Sequence, residues 1–147
     1  MPQTPRSFPR LPRRLQLPAT VLLCAVLQAP ATLAEPFDTA TQAMLVNAVE
    51  AAFELDLFNN RCRSDVSGRR SENLNKELVS RYRITVLDVQ DDYFPEGYYR
   101  DAQSRMEADF LDQLRNIGGC EGAKQAKLRD TLRARYETAM EAVARQH

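Results

Sequence analysis

The chain has 147 residues with 20 basic and 20 acidic side chains, no tryptophan, three cysteines and a single histidine at its last position. That histidine, His147, sits at a terminus where order is hard to maintain, so Ser-His-Asp and Cys-His catalytic arrangements are excluded. The length leaves room for one domain with a single core.

The first 34 residues contain no Asp or Glu, carry Arg6, Arg10, Arg13 and Arg14, and then turn apolar from Leu17 to Leu27. A basic stretch, a short apolar block and small residues form the layout of an export signal, with cleavage expected after Ala34 or after Ala31. The apolar block is shorter than the roughly 20 residues that a membrane span needs, so no transmembrane segment is expected in the mature chain. A lipoprotein signal built on Cys24 would require a small residue where Leu23 stands. Arg13-Arg14 matches a twin-arginine signal poorly, because Pro12 precedes the pair and Gln16 occupies an apolar position. Residues 1–34 are therefore expected to be a signal peptide and 35–147 a single helical domain, periplasmic or secreted. Removing the leader leaves 113 residues with 16 basic and 20 acidic side chains, a net charge of about −4, which argues against general nucleic-acid binding.

A first helix is expected from Asp38 or Thr39 to about Asn59, with Asn47, Glu50 and Glu54 as its polar stripe and apolar residues on its other faces. Such a helix should be the central packing element. A second is expected to start at Ser71, with Leu74, Leu78 and Tyr82 in steps of four. The β-branched run Ile84 to Val89 is expected as a frayed helix end or an extended connection, and Gln90 to Gly97 as an irregular linker. The third helix, about Tyr98 to Asn116, carries the stripe Tyr99, Ala102, Met106, Phe110, Leu114 and Ile117, with Asp101 and Arg105 spaced for an i,i+4 ion pair. Gly118-Gly119 stops it. A fourth, Glu121 to Arg145, places Leu128, Leu132, Tyr136, Met140 and Val143 on one face. Four amphipathic helices must bury their stripes on one another, which predicts an all-α fold, a small four-helix bundle.

Cys62 follows the first helix and Cys120 precedes the fourth, positions that an antiparallel bundle can bring side by side, so a disulfide is expected. These two cysteines and one terminal histidine do not supply a zinc ligand set, and the acidic group Asp88, Asp91, Asp92 and Glu96 lacks the spacing of an EF-hand, so neither a metal nor a cofactor is expected. Two groups are candidates for partner binding. Arg61, Arg63, Arg69 and Arg70 concentrate charge around the first cysteine, and Tyr93, Phe94, Tyr98 and Tyr99 bracket Pro95 and Gly97 at the mouth of the third helix.

The segment Asn60-Arg61-Cys62-Arg63-Ser64-Asp65, closing an apolar first helix about 60 residues before a second cysteine, resembles the small PulS/OutS-like pilotins of bacterial type II secretion, without their lipobox. The resemblance implies a helical domain clamped by Cys62 and Cys120 that holds a short helix of a secretin subunit. The function expected is thus a non-enzymatic periplasmic binding or accessory protein engaging a protein or peptide of the cell envelope. The alternatives are a periplasmic stress or chaperone-like protein and, third, an enzyme built on carboxylates such as Asp88, Asp91 and Asp92.

Overall fold

The computed structural model of the chain describes residues 37–145; the expected leader, its two cleavage positions, Cys24 and His147 lie outside the described residues. Helix α1 (Thr39–Arg63) opens on Asp38, whose carboxylate accepts the Thr41 N–H at 2.9 Å, and closes on Ser64 in the left-handed conformation. Asp38 and the Thr41 N–H hold each other so well that the carboxyl lies below its ordinary pKa. Leu45, Ala48, Val49, Ala51, Ala52, Leu55 and Phe58 are all buried, on more than one face of the helix. Several are alanines, which let neighbours approach closely, and α1 packs against four other helices as the central element.

Those neighbours are α2 (Arg69–Tyr82), α3 (Val86–Tyr93), α4 (Tyr99–Asn116) and α6 (Leu128–Arg145), with α5 (Gly119–Gln125) bridging α4 and α6. The fold is all-helical over the described residues, and it has six helices where four were expected. The first extra helix arises where an extended connection was expected. Arg83, at φ 61°, ends α2. Thr85 then accepts the Asp88 N–H while the Asp88 carboxylate accepts the Thr85 N–H, a capping box that starts α3. The second arises because the fourth expected helix breaks at Lys127, at φ 53°. Ahead of the break, α5 lies so close to the end of α4 that a Cβ on Gly122 would fall 1.6 Å from the Ile117 carbonyl oxygen. Only glycine permits that approach.

Helix ends are capped across elements as well as locally. Asp56 of α1 accepts the Arg70 N–H at 3.2 Å and the Ser71 N–H at 2.8 Å, satisfying two exposed donors of α2 whose own N-cap, Gly68, has no side chain. Asn75 of α2 accepts the Val86 N–H, and Asp91 of α3 accepts the Tyr99 N–H at the start of α4. The expected polar stripe of α1 is likewise used by a neighbour. Arg135 of α6 donates to Glu54 at 2.6 Å and to Asn47 and Glu50 at 3.1 Å. Arg105 pairs with Glu96 and Asp109 and lies 3.9 Å from Glu50, instead of pairing with Asp101.

Two clusters make the interior. One joins α1, α2, α3, α4 and α6 around Leu45, Leu74, Leu78, Val89, Met106 and Val143. The other, smaller, joins α1, α4, α5 and α6 around Leu55, Phe58, Phe110, Leu114, Ala123 and Leu132. Among the described residues no helix is long and apolar enough to cross a membrane.

Candidate functional site

The smaller cluster lies at the end of the domain where Cys62 and Cys120 form a disulfide, with their Cα atoms 5.4 Å apart, well inside the usual range. The bond ties the last turn of α1 to the first turn of α5. Closing a loop of this length is worth about 4 kcal/mol in the chain-entropy model. Beside it opens a cleft of about 430 Å³. Phe58, Ala123 and the disulfide line its apolar part, and Arg63, Lys124, Lys127 and Arg129 bring four positive charges against two negative ones, Glu121 and Asp130. In a domain of negative net charge this is a local excess of positive charge.

A second, smaller cleft of about 320 Å³ lies between α1 and α6 and has Arg129 in common with the first. Its walls are Leu55, Asn59, Arg70, Arg133, Tyr136 and Glu137. Burial raises the pKa of the Tyr136 hydroxyl, while Glu137 hydrogen-bonded to Arg133 at 2.8 Å holds that guanidinium protonated.

The arginines expected to act together are divided by the fold. Arg63 lines the first cleft and Arg70 the second, where Asp65 at 3.3 Å and Asp56 at 3.8 Å hold it. Arg61 lies on another face of the disulfide, beside Leu111 and Leu114, and Arg69 is exposed at the start of α2. The aromatic group lies elsewhere. Tyr98 and Cys120 flank opposite ends of α4, which at 18 residues is about 27 Å long. Phe94 is a core residue, and Tyr93 meets Phe37 edge to face with ring centroids 6.3 Å apart. Tyr98 packs on Tyr99, whose ring carries the Arg100 guanidinium at 5.6 Å. Phe94 and Tyr93 are thus packing, while Tyr98 remains 43% exposed beside Tyr99.

Three of the four acidic side chains of the connection have structural roles, and Asp92 is exposed. Asp88 closes a capping box, Asp91 caps α4, and Glu96 pairs with Arg105. Desolvation pulls the Glu96 carboxyl up, but the Arg105 hydrogen bond and charge outweigh it, and its pKa lies below the ordinary value. Among the described residues no three His, Cys, Asp or Glu side chains gather to hold a metal ion.

Lys124, Lys127, Arg129, Arg133 and Asn59 were not singled out by the sequence. Arg129 and Arg133 stand four apart and so share a helix face, a signal that was available. Asn59, at the expected end of the first helix, is instead buried within α1, which runs past it by a turn. No known family model, curated protein or solved structure matches this chain.

Proposed function

We propose that the chain is a non-enzymatic binding protein of the cell envelope, periplasmic or secreted, that engages a protein or peptide partner in the manner of a pilotin-like accessory factor. The observation that carries this reading is the cleft over the disulfide, whose apolar floor is the Cys62–Cys120 bridge above the buried Phe58 and Ala123 and whose rim is basic along Arg63, Lys124 and Lys127. A cleft of that character suits a short partner segment with one apolar side chain seated over the disulfide and acidic residues flanking it. The leader pattern of residues 1–34 and the disulfide support an oxidising compartment outside the cytoplasm.

Photo-crosslinkers placed at Lys124 and Lys127 of the exported chain, followed by mass spectrometry of envelope fractions, test it. A secretin or another envelope assembly subunit should be captured through an acidic segment, and Lys127→Glu together with Arg63→Glu should weaken that capture about tenfold or more. Crosslinks absent at the cleft but abundant from a control position at Leu87 would overturn the reading.

A further inference from the structure

The cleft between α1 and α6 differs in chemistry from its neighbour. Three guanidinium groups line it against one carboxylate, Glu137, and that carboxylate is already bonded to Arg133 Nε, leaving the terminal nitrogens of Arg133 uncommitted. Arg70 is held by Asp56 and Asp65, which do not line the cleft. Arg129 has no acidic partner among the described residues.

A second observation points the same way. Asn59 is 3% exposed, and its Nδ2, a donor of two hydrogen bonds, has no acceptor among the described residues. A buried donor left unpaired beside a polar cleft is costly unless something completes it. We propose that this cleft is a binding site for an oxyanion group, a phosphate or a carboxylate, carried by a small ligand. Arg129 and Arg133 present planar forks suited to two oxygens of one group. Asn59 donates from the α1 side. The volume of about 320 Å³ exceeds a single oxyanion several-fold, so the remainder of the ligand lies against Leu55 and the Tyr136 ring. The inference does not rest on the peptide reading, since it concerns a different cleft, although Arg129 borders both.

The test is an NMR titration of the full chain with inorganic phosphate, and separately with acetate, each against sodium chloride at matched ionic strength. The signals followed are the Asn59 side-chain amide and the Arg129 and Arg133 Nε–H groups. Saturable shifts with phosphate alone identify a phosphate-bearing ligand and with acetate alone a carboxylate; either supports the site. Arg129→Gln with Arg133→Gln should weaken binding about tenfold or more. Asn59→Asp, which keeps the shape but adds a repelling charge, should abolish it. Because Asn59→Asp can also unfold α1, the deciding variant is Arg133→Gln, whose side chain is 62% exposed. Shifts that grow linearly, that follow ionic strength alone, or that survive the double arginine variant would overturn the site. A cleft that crosslinks a peptide while phosphate and acetate both fail would sink this inference and leave the peptide reading standing.

Discussion

The two ends of the domain are built differently. The end away from the disulfide has 13 buried core residues drawn from five helices and the loop residue Phe94, whereas the disulfide end has six. The well-filled end has no covalent tie among the described residues, and the thin one has a disulfide and both basic clefts. A small core contributes little stability of its own, so a bridge there does more than it would in the larger one. The disulfide itself reaches the surface along the first cleft, above the buried Phe58 and Ala123. On this view the disulfide holds a binding surface in shape where packing alone would hold it weakly.

Side-chain truncation tests that difference most strongly. Leu74 is fully buried in the larger core, and Leu74→Ala should cost about 4 kcal/mol, near the upper part of the range for such substitutions. Leu132 is buried in the smaller core, where fewer buried side chains surround it, and Leu132→Ala should cost about 2 kcal/mol. Denaturant unfolding monitored by circular dichroism gives both values. Equal costs at the two sites would remove the distinction between a tightly and a loosely packed end.

Removing the bridge comes next. Cys62→Ser with Cys120→Ser should lower stability by up to about 4 kcal/mol, and native-state amide exchange should speed up first in residues 110–132. Exchange that quickens evenly, through α2 and α3 as much as α5, would mean that the clamp acts on the whole domain and not on the cleft end.

The pattern of what was legible follows from the range of the forces involved. The apolar stripes of α1, α2, α4 and α6 repeat every three or four residues, so those helices could be read directly from the chain. The Thr85–Asp88 capping box was equally local and identifies α3, but the β-branched residues around it pointed to an extended segment. The break at Lys127 has no glycine or proline to announce it. It depends on where α5 is pinned by Cys120 and by the approach of Gly122 to Ile117, contacts made only in the folded chain. The same holds for the candidate site. Asp56 is 14 residues from the Arg70 N–H it caps, and Asn59 shares a cleft with Arg129 and Arg133, some 70 residues away in the chain, so composition put the arginines around Cys62 together when the fold distributes them over several faces. Tyr93 and Phe94 looked like a lip because aromatic residues serve packing and recognition equally well.

Acid produces the smallest effect and is expected at both ends alike. Asp38 is lowered in pKa chiefly by the Thr41 N–H, Asp65 by Ser67, and Glu72 by Lys76, and Glu96 is lowered because Arg105 outweighs desolvation. In each case the folded pKa lies below the unfolded one, so the unfolded chain binds protons first as the pH falls. The stability these groups contribute is therefore complete above the ordinary carboxylate range near pH 4 and is lost as the pH drops through their folded values. Asp38, Asp65 and Glu72 lie near the surface where salt screens them, and only Glu96, with its side chain 16% exposed, is sheltered, so the decline should be shallow and should shrink further at high ionic strength. Histidine, the usual source of a transition near neutrality, is confined to position 147. Denaturation midpoints should accordingly stay level between pH 5 and 8 and fall only below about pH 4.5. A hydrophobic dye that bound the chain already at pH 6 would contradict this and would favour a protein that opens its helices on mild acidification, which is the chaperone-like alternative to a standing cleft.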